Sequence, residues 1–210
     1  MKFLQILSIA SVVFAAPAVI QQQNGLVARG ILINGVTGAI NSTRTAGTAN
    51  ADVLSSAATA IGANGRVLTQ QVADAVLASL RNTTAQVQAS TGQLSTGVQA
   101  AIKDLLAKGN TLTADELKQV SLAIAQAQAF VESQRNATAL FAGSLANPAG
   151  TAIKTEIELL RTAVQAFVAP LIPFLGAVRT AVSGLDVKSQ ATALALQGVI
   201  PILQTVAGAI

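Results

Sequence analysis

No cysteine, histidine, tryptophan or tyrosine occurs in this chain, and its single methionine is the first residue. Without cysteine there are no disulfides, so stability must come from packing alone. Without histidine and cysteine together, zinc-type ligand sets and His-assisted nucleophiles are excluded. No G-x-S-x-G motif and no phosphate-cradling glycine loop appears. Charge is scarce too, at 10% of residues. The acids are scattered singles plus two short pairs. Asp115 and Glu116 are accounted for by a helix cap. Glu156 and Glu158 stand two apart on a helix and so point to different sides. A carboxylate-pair hydrolase has no support, and we expect a protein that is not an enzyme and holds no metal or cofactor. Aromatic residues make up only 3%, and the formal charge of +4 is spread over sites such as Arg66, Arg81, Lys103 and Lys108. Nucleic-acid binding asks for a basic cluster or stacking platforms. Neither is here, and no nucleic-acid partner is expected.

What is present is apolar and small. Hydrophobic residues reach 51% of the 210, far from the disordered class. Much of that share is alanine, a strong helix former with little volume to bury. One domain is the natural expectation at this length, with a core of Ala, Val, Leu and Ile and few large anchors.

The N-terminus "MKFLQILSIASVVFAAPA" places Lys2 ahead of an apolar run that ends in small residues. That order predicts a secretory signal over residues 1–18, cut after Ala15 or Ala18. The run is interrupted by Gln5 and is short for a membrane anchor. Arg29 in "LVARG" offers a weaker second processing site; the simpler account is a solvated arginine. Three N-x-S/T sequons, at Asn41, Asn82 and Asn136, agree with secretion to the extracellular space or cell wall and mark candidate glycosylation sites that face solvent.

Residues 19–50 are rich in Gly, Asn and Thr and read as a flexible N-terminal arm, with one short apolar element at 31–40. From Ala51 the period turns helical, so residues 51–210 form the expected helical domain. "ADVLSSAATAIGANG" reads as a short helix ended by Gly62, Asn64 and Gly65. Val72, Val76, Leu80 and Val87 recur at helical spacing, and Leu94, Val98, Ile102 and Leu105 repeat the pattern. Lys108-Gly109-Asn110 is a stop signal. Thr113-Ala114-Asp115-Glu116 is a capping box, and it opens a helix through Leu117, Val120, Ile124, Val131 and Phe141. Pro148 is well placed to begin the next helix, which carries Ile153, Ile157, Leu160, Val164 and Phe167 on one side. In the last segment Gln190, Gln197 and Gln204 stand seven apart as one polar stripe, opposite Leu196, Val199, Leu203, Val206 and Ile210. The apolar tail also fits a removable lipid-anchor signal, but the ordered stripe favours a helix packed in a bundle. No strand pattern competes. The fold class expected is all-α: a bundle of five or six amphipathic helices, one kinked by Pro170 and Pro173.

The double-proline stretch, "RTAVQAFVAPLIPFLGAVRTAV" over residues 161–182, carries no charge between its two arginines. "AFVAPLIPFLGAV" is thirteen residues and is broken twice, whereas a lipid span needs roughly 20 apolar residues. No transmembrane span is therefore expected in the mature chain. Two uses of the stretch remain open. The bend opens the bundle, and Phe167, Leu171, Ile172, Phe174 and Leu175 line an apolar groove or cavity; or the same residues fill the core at a kinked helix.

The leader ending "FAAPA", the Ala-, Val- and Leu-rich helical body and "LLRTAVQAFVAPLIPFLGAV" together resemble the fungal hydrophobic-surface-binding and cell-wall galactomannoprotein family. The likeness covers residues 51–210 as a pattern. It implies a secreted helical bundle that adsorbs to hydrophobic surfaces or encloses fatty acids, and it has no catalytic residues to carry over. The Ser/Thr-rich tail of many wall-attached members is lacking, which puts covalent wall attachment in doubt.

Two functions follow as expectations. The first is a non-catalytic protein whose partner is a fatty acid, another apolar ligand or a hydrophobic surface. The second is a structural or interaction protein of the cell wall or extracellular matrix, including a host-directed effector. An enclosed apolar cavity favours the first. A filled core with an exposed apolar patch favours the second.

Overall fold

The computed structural model describes residues 30–107, 112–146, 150–182 and 187–210. The expected signal at 1–18, the first part of the arm with Arg29, the stop at 108–110 and Pro148 lie outside the described residues. Within them the protein is all-α, with six helices and no strand. These are α1 (Gly30–Ala63), α2 (Gln70–Ala107), α3 (Ala114–Ser144), α4 (Thr151–Val168), α5 (Leu171–Ala181) and α6 (Val187–Gly208). α1 packs mainly on α2 and α3, α2 also on α4 and α5, and α6 on α3, α4 and α5.

The expected arm is corrected by this arrangement. Residues 30–50 belong to α1, which runs unbroken through the anticipated boundary at residue 50. Val36, Ala39, Ile40, Thr43, Ala46 and Asn50 are all buried. The Gly, Asn and Thr content that reads as a loop has specific uses in the packing. A Cβ on Gly47 would stand 2.3 Å from Cδ2 of Phe130, so only glycine lets α3 come this close. A Cβ on Gly97 would lie 3.3 Å from the backbone at Gly35 and Val36, which marks the close approach of α1 and α2. Asn50 joins a buried network: its Nδ2 donates to Oε1 of Gln134 (2.7 Å), and Ser79 donates to its Oδ1 (2.8 Å). Gln134 in turn donates to the Gly47 carbonyl (2.8 Å). Tertiary packing, not intrinsic propensity, makes this segment helical.

The two segments read on either side of residue 92 are also one helix, α2. Leu80, Val87 and Leu94, seven residues apart, give it a continuous buried face. α1 ends where its glycines and Asn64 predict. Gly65 and Arg66 both take φ of +65°, and the Arg66 amide donates to the Ile61 carbonyl (2.8 Å). The Arg66 guanidinium crosses to the last turn of α3 and donates to the carbonyls of Gly143 (2.8 Å) and Leu145 (3.2 Å). A cation there also opposes the negative end of the α3 dipole. At the other end of α3 the capping box is present. The Glu116 amide donates to Oγ1 of Thr113 (3.2 Å), and the Thr113 amide donates to Oε2 of Glu116 (2.8 Å).

Candidate hydrophobic-surface site

α4 closes at Val168, and the Ala169 amide still donates to the Gln165 carbonyl (3.2 Å). Pro170 follows with helical dihedrals, φ −64° and ψ −22°, so the turn bends the path but barely changes the helical phase. α5 starts at Leu171, and the Ile172 amide reaches back to the Ala169 carbonyl (3.3 Å). Both prolines therefore stand at the N-terminal end of α5, where a missing amide costs little.

Because the phase survives, Phe167, Leu171, Phe174, Leu175 and Val178 follow i, i+4, i+7, i+8 and i+11 spacing and share one face. That face is the core. Phe167, Leu171, Phe174 and Leu175 are all at most 1% exposed. The Phe167 ring meets Phe130 edge to face, with centroids 5.7 Å apart. Of the two uses left open for this stretch, the burial agrees with the second. Four of the five candidate residues fill the core at a kinked helix, and only Ile172, 37% exposed, reaches the surface. There it borders an open groove of about 260 Å³ with Gln165, Val168, Ala169, Gln204 and Ala207. Ligand pockets that enclose a small molecule span roughly 300–1,000 Å³. This groove is smaller, is open, and has glutamines among its lining residues.

An exposed apolar face lies on α6. Ser189, Ala193, Leu196, Leu203 and Ala207 turn inward. The glutamine stripe is real, with Gln190 and Gln204 exposed and Gln197 half-buried and accepting a hydrogen bond from Arg179 (3.0 Å). The stripe flanks the solvent face instead of filling it. The centre of that face is Ala191, Leu194, Gly198, Pro201 and Ile202, all exposed. Leu194 is 59% exposed and Ile202 46%. From Ser189 to Ile210 there is no charged residue. Among the described residues beyond Glu158, the charges are Arg161, Arg179 and Lys188, all basic. Arg161 is paired with Glu158.

Two stretches, Thr151–Ala181 and Val187–Gly208, are long and apolar enough to cross a membrane by length and composition alone. They differ in burial. In the first, 44% of the most apolar window is inside the bundle; in α6 only 22% is. Among the described residues no three acidic side chains converge as metal ligands. The three sequon asparagines, Asn41, Asn82 and Asn136, are exposed on α1, α2 and α3.

Sequence reading missed the outer face of α6. The glutamine spacing drew attention to one stripe, while the signal for the face was the absence of charge after Lys188. Comparison with known proteins finds no matching family model, no similar curated protein and no similar solved structure.

Proposed function

We propose that this is a secreted, non-catalytic protein that adsorbs to hydrophobic surfaces, a lipid interface above all, through the outer face of α6. The observation that carries the reading is a helix apolar on both sides. One side is spent on the bundle, and the other presents Leu194 and Ile202 to solvent with no charge after Lys188. Contiguous exposed apolar surface of this kind marks interaction sites. The flanking Arg179 and Lys188, with no described carboxylate on α5 or α6, suit a neutral or anionic interface better than an acidic protein groove. The enclosed fatty acid, the other half of the expectation, loses its support here, because the proline stretch packs into the core. A wall or matrix interaction protein would use the same α6 face, so the two readings are separated by vesicles free of protein.

The test is co-sedimentation with zwitterionic and anionic phospholipid vesicles. Full burial of a Leu or Ile side chain is worth about 1.5–3 kcal/mol. Replacing both Leu194 and Ile202 with Glu should therefore weaken adsorption by about two orders of magnitude or more. Leu106→Glu, at an exposed leucine on α2, should change it little. Wild-type protein that ignores both vesicle types would sink the surface reading and leave α6 as a protein interface. Equal binding by the double variant would move the contact elsewhere.

A further inference from the structure

Two residues on a helix are separated by about 200° of rotation. An N-x-T sequon whose asparagine faces solvent therefore turns its threonine toward the core. All three sequons obey this: Asn41, Asn82 and Asn136 are exposed, while Thr43, Thr84 and Thr138 are buried. Burial of a hydroxyl asks for a partner. Thr43 finds one by donating to the Ala39 carbonyl (3.0 Å), as Thr91 does to Val87 (2.7 Å) and Thr96 to Gly92 (3.1 Å). Thr84 and Thr138 do not. Both hydroxyls are fully enclosed with no hydrogen-bond partner. Valine has the same shape and would remove an unpaired polar atom from each site. In the folded chain neither hydroxyl makes a hydrogen bond to another protein group.

We infer that Thr84 and Thr138 hold hydroxyls for use before folding, and that Asn82 and Asn136 are N-glycosylated on the nascent chain. The acceptor sequence requires a hydroxyl two residues after the asparagine. Only in the unfolded chain is that hydroxyl open to a transferase. The donor is an oligosaccharide linked to a lipid pyrophosphate. The asparagine Nδ2 forms a bond to the anomeric carbon, the bond from that carbon to the pyrophosphate oxygen breaks, the lipid pyrophosphate leaves and the amide gives up one proton. After folding, the sugars stand on α2 and α3, and α6 stays bare. Asn41 is not assigned, because Thr43 already has a structural use. The inference rests on entry into the secretory pathway, which belongs to the proposed function.

The experiment expresses the full chain in a eukaryotic secretory host and reads intact mass before and after removal of N-glycans. Glycan is expected at Asn82 and Asn136. Thr84→Val should lose the first and Thr138→Val the second, while Thr84→Ser and Thr138→Ser keep them. Secreted protein made with donor synthesis inhibited supplies the structural control. There, the two valine variants should melt no lower than the glycan-free parent. Lower melting would assign the hydroxyls a folded-state role and overturn the inference. Failure of the chain to enter the pathway with its own N-terminus would remove the secretory premise and the modification with it. Unmodified asparagines in protein exported behind a host signal peptide would overturn the modification alone.

Discussion

Replacing Gly47 with alanine adds one methyl group to a good helix former, and propensity alone says the protein should gain about 1 kcal/mol. The packing says the opposite. The new carbon would stand 2.3 and 2.5 Å from Cδ2 and Cε2 of Phe130 and 3.0 Å from Nε2 of Gln134. Phe130 cannot swing away freely, since it is 2% exposed and its ring leans on Phe167. Gln134 is held by hydrogen bonds to Asn50 and to the Gly47 carbonyl. Overpacking of a tight core costs about 1–3 kcal/mol. Disturbing the ring pair adds about 0.5–1.5 kcal/mol. Set against the propensity gain, the net loss is about 2 kcal/mol. At this chain length that lowers the melting temperature by about 4–8 °C. Gly92→Ala is the matched control: the residue is exposed in mid-α2 and a Cβ there meets nothing within 4 Å. It should gain up to about 1 kcal/mol and melt about 2–4 °C higher. Thermal unfolding followed by far-UV circular dichroism reads both. A Gly47→Ala protein that melts at or above the parent would refute the close approach of α1 and α3.

Phe174→Asn should destabilise the bundle by several kcal/mol, through a lost buried ring and a buried amide, and should leave no selective defect in lipid adsorption; denaturant titration of the variant checks this, and a folded variant of parental stability would put Phe174 back among candidate site residues. Thr113→Ala removes the acceptor for the Glu116 amide and should cost about 1 kcal/mol, read as a downward shift in melting temperature. Arg81→Ala breaks the 2.6 Å pair with Glu156, but the arginine is 63% exposed, so equilibrium unfolding should show a loss of less than about 1 kcal/mol. Vesicle adsorption should be flat between pH 6 and 8, because the chain has no histidine; a steep change across that window would count against a contact made by the apolar face of α6.

Helical periodicity was enough to read the fold class, and the capping box at Thr113 was legible to the atom because its chemistry is local. α1 was not legible over residues 30–50. Its Gly47 and Asn50 are explained only by Phe130 and Gln134, more than eighty residues away. A single segment carries no record of such a partner. The proline stretch was half legible. The i, i+4, i+7, i+8 spacing of Phe167, Leu171, Phe174 and Leu175 already names one face. What left the outcome open was the direction of the bend, which two prolines do not set by themselves. On α6, hydrophobicity on both sides of the helix erased the contrast by which one face is usually told from the other.

The contacts that join Gly47, Asn50, Ser79 and Gln134 have a further consequence. A core of Ala, Val and Leu is nearly interchangeable along its length. Sliding α3 past α1 by one turn, about 5.4 Å, would carry Phe130 off Gly47 but would exchange most of the other small apolar side chains for others like them. Apart from that one ring, apolar contact discriminates poorly between such alternatives. The amides do discriminate. A slipped pairing would strand Asn50 and Gln134 among hydrocarbon, at about 1–3 kcal/mol for each unsatisfied group. Three helices that could otherwise settle in several alignments are thereby keyed to one, by polar atoms that add little to total stability but make every other alignment costly.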